Sequence, residues 1–257
     1  MPTIHPTALV DPGAELADDV IIGPFTIVQN NVTIDSGTQI HSHALIASGA
    51  RIGKRCIVHH GAVVSSIPQD LKFAGEETTL EIGDETVIRE YCDLNRGTVD
   101  HGKTEIGKNV FLMAYVHVAH DCVVGDRVIL ANGVQLAGHV TIGNWVTIGG
   151  LTPVHQFCTV GEHSFVGGGY RVVQDVPPYI LAASEPLTYR GPNVVGLERR
   201  GFPKENIMAI RKCYRFLYRS KLNTSQAVEK IKNEVDDFPE VRKILEFIET
   251  NHRGLIR

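Results

Sequence analysis

The sequence predicts a mainly β chain: a parallel solenoid of six-residue repeats followed by a small α-helical domain. Three observations predict it. Stepping by six from Ile4 to Val172 passes 29 positions, of which 26 are Ile, Val or Leu, a regularity far beyond chance. Four residues after these 26 anchors stands a small or β-branched residue in 24 cases, Pro68 and Tyr170 being the departures, so the repeat has a second, space-limited position. After Val176-Pro177-Pro178 the period stops, and apolar residues recur at helical spacing.

A period of six fits neither an amphipathic helix nor a half-buried hairpin strand. It fits a short strand plus a corner, with the anchor turned inward and the small residue filling the corner. Three hexads make a coil of triangular section, and coils stack at about 4.8 Å. This pattern resembles the hexapeptide-repeat left-handed parallel β-helix; the left hand rests on that resemblance, because the general crossover rule favours the right. The helix is assigned to residues 1–190. Two interruptions preserve its phase, one at about 66–81 around Pro68–Gly75, the other at about 99–105 around His101-Gly102. Loops on a rigid scaffold are where function concentrates. Cys56, Cys92, Cys122 and Cys158 all fall at the corner position and read as inward fillers.

Residues 191–257 form the helical part. Pro203 suits a first turn, and Ile207, Ile210, Tyr214 and Leu217 recur at helical spacing. A second helix is expected from about 224 to 235. A third opens at Pro239, with Val241, Ile244, Leu245 and Ile248 as its apolar face. Three helices would cap the coil.

Composition narrows the function. Apolar residues are 43% and charged residues 21%, ordinary globular values that exclude a disordered chain. No run of 18 apolar residues exists to span a membrane, and Met1–His5 lacks the start of a secretory signal, so a cytoplasmic location is expected. Five cysteines without a Cys-x-x-Cys pair argue against a disulfide framework or a structural zinc site. Residues 1–189 carry 10 Lys and Arg against 20 Asp and Glu, whereas residues 190–257 carry 15 against 9. A basic C-terminal segment on an acidic body suits an anionic partner. Nucleic acid does not fit, since the segment has no helix-turn-helix or aromatic-interleaved pattern.

The chemistry concentrates in the histidines. Counted along an 18-residue coil, His117, His120, His139 and His155 share one narrow vertical strip, and Asn95 joins it once the second insertion is subtracted. His41, His43, His59 and His60 read as a structural ladder. Asp121 follows His120, and a carboxylate beside an imidazole orients a general base. Gly138 precedes His139, and a corner glycine can offer its N–H to an oxyanion. These parts suit acyl transfer to an alcohol.

Further motifs extend the picture: Gln69-Asp70-Leu71-Lys72-Phe73-Ala74-Gly75-Glu76, His117-Val118-Ala119-His120-Asp121-Cys122, Leu136-Ala137-Gly138-His139-Val140, His155-Gln156-Phe157, Gln174–Tyr179, Arg199-Arg200-Gly201-Phe202 and Arg253–Arg257. In this order they resemble the UDP-N-acetylglucosamine O-acyltransferase family of lipid A biosynthesis, over essentially the whole chain. The resemblance implies that His120, supported by Asp121, takes the proton of the sugar 3-hydroxyl as it attacks the thioester of an (R)-3-hydroxyacyl carrier protein. The Gly138 backbone would hold the oxyanion. Asp70 and Lys72 would hold the sugar and nucleotide, with His117, His139, His155 and Gln156 lining the cleft. Asn193, Arg199 and Arg200 would bind the uridine diphosphate. Gly168, Tyr170 and Pro186 would limit acyl length. The resemblance also implies a homotrimer with sites between subunits, an acidic carrier protein as the anionic partner, and no cofactor or metal.

Two departures stand out. Asn95 replaces a His common before Arg96-Gly97-Thr98, and Ser184-Glu185-Pro186 replaces a Gly-Asn-His or Gly-Asn-Pro segment. Competing readings are transfer to a 3-amino sugar analogue, a γ-carbonic-anhydrase-like zinc enzyme using His117, His120 and His139, and a non-enzymatic scaffold. A related N-acyltransferase carries an extra N-terminal domain, for which a repeat starting at Ile4 leaves no room.

Overall fold

The computed structural model describes residues 1–257. Short strands, most of two residues, assemble into three sheets of eleven, eight and eight strands. Each coil strand pairs in parallel with the strand one coil away, so that Ile4 lies beside Ile22 and Val10 beside Val28. Consecutive strands enter different sheets, which makes the three faces of a triangular prism. The first face runs from Thr3–Ile4 to Phe165–Val166 before taking two further strands, the second from Leu9–Val10 to Pro153–Val154, and the third from Glu15–Leu16 to Thr159–Val160.

The anchors make the core. Ile34, Ile46, Val58, Leu112, Leu130 and Leu136 are buried, and each contributes about 1.5–3 kcal/mol. The same apolar cluster continues into the helical part through Ile207, Ile210, Tyr214 and Ile244. Three residues after the anchor the chain turns through left-handed backbone even without glycine, at Phe25, Arg55, Asp121, His139 and His163 among others. Such a conformation strains an L residue, and it persists because the coil bonds on both sides fix it. Corner fillers share one hydrogen bond. The Thr26 hydroxyl donates to the His41 carbonyl at 2.7 Å, and the Cys122 thiol points at the Ala137 carbonyl at 3.1 Å. Cysteine therefore substitutes for threonine at this position, and burial pushes the Cys92 and Cys122 thiols up to about 12.

Two loops leave the coil, 67–78 after Val63–Ser66 and 96–102 after Asp93–Asn95, both where the second face meets the third. Both return in register, with Ile82 beside Ile52 and Ile106 beside Ile82.

The first face is extended by Ile180–Ala183, which pairs antiparallel with Thr188–Pro192. Four helices follow: α1 (Val194–Arg199), α2 (Lys204–Tyr218), α3 (Thr224–Glu234) and α4 (Pro239–Thr250). Three were expected. The additional one, α1, has only six residues, too few to show a period, and is set by the Asn193 side chain accepting the Gly196 N–H. The buried Tyr214 hydroxyl donates to the Pro178 carbonyl and docks α2 on the last coil. The C-terminal tail returns to the coil, where the buried Asp175 carboxylate accepts N–H groups from Thr159, His252 and Arg253.

All five cysteines are buried, so none should react with iodoacetamide in the native protein at pH 8. Five adducts should appear after unfolding in guanidinium, counted by intact mass. Native labelling of any of the four coil thiols would contradict their assignment as inward fillers.

Candidate active site

The corner between the second and third faces collects most of the polar residues singled out above. Both loops leave from it. His117 lies on the second-face strand His117–Val118, and His120, Gly138, His139 and Gln156 follow second-face strands by two or three residues. His120 Nδ1 is 2.8 Å from Asp121 Oδ2. One coil further on, a Cβ added at Gly138 would lie 2.7 Å from His120 Cε1 and 2.8 Å from Nε2. Only glycine lets the imidazole lie flat on the corner, and the Gly138 N–H has no partner within the chain.

Asp121 is buried. Burial alone would raise its pKa, but hydrogen bonds from the Thr98 hydroxyl, His120 and the Thr98 N–H hold it below the usual carboxylate range. An ionised Asp121 accepts from Nδ1, which leaves the Nε2 lone pair free beside Gly138. His139 lies across the pair, its Nε2 3.8 Å from both Asp121 Oδ2 and Asp100 Oδ2. Its ring meets those of His120 and His101 edge-on and stacks on Phe157. Burial lowers the pKa of His139 against the pull of Asp121. His120, Asp121 and His139 bring ligand-type atoms within 4.8 Å of one another, and hydrogen bonds from the Thr98 hydroxyl and His120 already engage Asp121 Oδ2.

On the same coil as His120, His117 Nδ1 lies 3.2 Å from Oδ2 of Asp93, one coil below. Ser66 and Gln69 donate to the same carboxylate, which ties the start of loop 67–78 to His117. Asp70 and Lys72 sit at the turn of that loop, with the Lys72 N–H on Asp70 Oδ1 at 2.9 Å. Asn95, expected on the surface strip, is instead buried: its strand runs one residue longer and pairs with Ser66 across a bulge at Ser65, and its amide donates to the Ser66 hydroxyl. His155 is exposed beside Gln156, with Arg253 of the tail 3.3 Å from its Nδ1.

The other expected residues lie on other corners. Arg200 packs where the third face meets the first, over the Trp145 ring, donating to the Trp145 carbonyl and facing His163 Nδ1 at 3.3 Å. Asn193 spends its side chain on the α1 N-terminus and the His163 carbonyl, while Arg199 is exposed. Gly168 and Tyr170 follow Phe165–Val166 on the corner between the first and second faces, and Arg171 pairs with Glu185 beside Pro186. Within one chain these groups share no contact with His120. The sequence pattern did not reveal Asp93, Thr98 or Phe157. Asp93 was within reach of it, since removing the loop from its spacing to His117 leaves one coil.

The coil and its corner site define a hexapeptide-repeat transferase: a profile described as bacterial transferase hexapeptide, six repeats, matches residues 103–138. A second, described as UDP-N-acetylglucosamine O-acyltransferase domain 2, matches residues 175–256. The acyl-[acyl-carrier-protein]--UDP-N-acetylglucosamine O-acyltransferase of Thiobacillus denitrificans is 51% identical, with 100% of both chains covered. That of Aliivibrio fischeri is 49% identical over 99% of this chain and 97% of its own. The crystal structure of the Bacteroides fragilis UDP-N-acetylglucosamine acyltransferase matches with TM-score 0.98 at 44% identity, covering 99% of this chain and 100% of that one. The chain belongs to the UDP-N-acetylglucosamine O-acyltransferase family, and its coil is the left-handed parallel β-helix.

The Arg200 corner gives a pH prediction. Burial, helped by the Arg200 charge, pushes His163 from its ordinary 6.5 down to about 4. Between those values the unfolded chain binds a proton that the native chain refuses, so stability falls as pH drops through this window. The thermal midpoint should decline from pH 6.5 to pH 4, and less steeply in His163→Phe. Equal slopes for the two proteins would remove His163 as the cause.

Proposed function

We propose that this chain transfers an (R)-3-hydroxyacyl group from the thioester of an acyl carrier protein to the 3-hydroxyl of UDP-N-acetylglucosamine, the first step of lipid A biosynthesis. The observation that carries the reading is the His120–Asp121 pair closed over Gly138, in a chain of this family. His120 Nε2 takes the proton from the sugar hydroxyl as its oxygen attacks the thioester carbonyl carbon. The Gly138 N–H, unpaired in the chain, receives the oxyanion. Collapse breaks the carbon–sulfur bond, and the departing thiolate takes the proton back from His120. Every atom is accounted for without cofactor or metal.

Asp70, Lys72, His117, His139, His155 and Gln156 are the proposed sugar contacts around this corner. Arg199 and Arg200 are the proposed diphosphate contacts, with Asn193 acting through the helix start that it holds. They occupy a different corner, and one side of the triangle spans at most roughly 20 Å. A second copy of the chain, presenting its Arg199 corner to the His120 corner of the first, supplies both halves; this supports the homotrimer. Gly168, Tyr170 and Pro186, at the far end of the second face, are the proposed limit on acyl length. A nucleotide sugar and a carrier protein as substrates support a cytoplasmic location.

A mass-spectrometric transfer assay tests the reaction, using UDP-N-acetylglucosamine, its 3-amino analogue and a series of (R)-3-hydroxyacyl carrier proteins. Wild type should acylate the 3-hydroxyl, the best donor reading out chain length. His120→Ala should lower kcat by about 10²–10⁴ with an unchanged thermal midpoint. No transfer by wild type from any donor would overturn the reading. The shared site is tested by mixing inactive His120→Ala chains with Arg199→Ala chains and reassembling them. Each mixed oligomer retains sites whose two corners are both intact, so activity should exceed the average of the separate variants. No gain would place both corners' roles within one chain.

A further inference from the structure

We infer that Thr98, carried on the 96–102 loop, is a positioning residue for the proposed base: it holds Asp121 in the one orientation that serves His120. The inference rests on the acyltransferase reading and assigns that loop its part in it.

Three observations support the role. Asp121 stands at a left-handed corner three residues after an anchor, and among the non-glycine residues so placed from Phe25 to His163 it alone is buried. What buries it is the loop. Thr98, itself 5% exposed, donates its N–H to Asp121 Oδ1 at 2.9 Å and its hydroxyl to Oδ2 at 2.7 Å. Both carboxylate oxygens are therefore gripped by one residue, and Oδ2 is the oxygen that meets His120. The Asp121 N–H donates to the Thr104 hydroxyl on the loop's returning strand, so the backbone is pinned as well.

The loop is built to present Thr98. Arg96 and Gly97 donate their N–H groups to the Ser66 and Thr79 carbonyls, the Thr78 hydroxyl donates to the Gly97 carbonyl, and Gly102 closes on the Thr98 carbonyl. A Cβ at Gly97 would come within 2.3 Å of the Lys103 nitrogen, so the chain reaches Thr98 by a path only glycine can take. An insertion in a repeat has no packing reason to converge on a single carboxylate. A carboxylate free to rotate would leave the imidazole without a fixed tautomer or direction, which is the condition Thr98 removes.

The charged and titratable neighbours of the pair are His139, Asp100 and His101 on the open side and the buried Cys122 thiol beneath. His139 Nε2 stands 3.8 Å from Oδ2, beyond hydrogen-bond distance, so the Thr98 hydroxyl is the neutral donor that Oδ2 has. With that hydroxyl removed, more of the carboxylate's charge faces His120 and the protonated imidazole is favoured. The acid limb of kcat then moves to higher pH, while loss of orientation lowers kcat itself.

Thr98→Val keeps the shape and the backbone bond and deletes only the hydroxyl; Thr98→Ser restores it. The intact protein should show kcat reduced about tenfold in Thr98→Val, KM for both substrates unchanged within twofold, and the acid limb displaced to higher pH. Thr98→Ser should recover all three. The imidazole nitrogen resonances of His120 should shift in Thr98→Val and return in Thr98→Ser, a readout independent of turnover. Unchanged resonances and pH profile, or a Thr98→Ser that behaves as Thr98→Val, would overturn the inference. His120→Ala and Asp121→Asn run alongside: if both are inactive while Thr98→Val is normal, only the Thr98 role fails, whereas an active His120→Ala removes the general-base reading itself.

Discussion

The parallel register of one coil on the next is the constraint on which the rest of this structure depends. Ile22 lies over Ile4, Ile40 over Ile22 and Val58 over Ile40, and the same pairing continues on the other two faces. Each step joins backbone hydrogen bonds to burial of an aliphatic side chain, so the two stabilising effects cannot be separated by slipping the strand. A slip of one residue would turn every anchor outward and every charged neighbour inward. The loops obey the same rule, since Ile82 and Ile106 resume on the anchors they would have met without an insertion.

Register also assembles the site. Val118 pairs with Leu136, and two residues beyond them stand His120 and Gly138. Equivalent positions on adjacent coils must touch, so the proposed base and the proposed N–H donor are brought together by the stacking that builds the core. The contact is close enough to dictate glycine. The same logic makes His117 the neighbour of Asp93 on the coil below. A scaffold this repetitive positions side chains without any dedicated support, except where a side chain has to be held inside. Asp121 is such an exception, and beside it the coil is interrupted.

This division explains what was legible in the sequence. Position within the repeat placed His117, His120, His139 and His155 on one strip, because side-chain direction in a coil follows from the count alone. It placed Asn95 there too, and the structure buries it: a three-residue strand and a bulge at Ser65 on the neighbouring strand break the count locally. Thr98 was visible only as a small corner filler, because its partner is fixed by a loop path that has no period. The helix α1 is too short for a hydrophobic pattern, and its start depends on one asparagine. The Arg200 corner was hidden for a different reason. The face of the coil on which Arg200 packs presents Trp145 and His163, residues the repeat treats as exposed corners.

At the His120 corner the imidazoles of His120 and His139 both face the Asp121 carboxylate, and the arrangement sets them apart. Were both to take a proton, the single charge of Asp121 would be divided between them and neither would be a well-directed base. Burial works against that outcome at His139, where it lowers the pKa despite the carboxylate 3.8 Å away. The stacked Phe157 ring contributes to that burial without offering any competing polar contact. His120, 2.8 Å from Asp121, has the shorter and better-aligned claim on the charge. Lowering the pKa favours the neutral form of His139, which can donate or accept a hydrogen bond, as its proposed contact with the sugar requires. The carboxylate can support this asymmetry only if it does not rotate toward His139, and the coil has no residue in register to prevent that. Restraining it falls to the loop that the repeat gave up six residues of its ladder to accommodate.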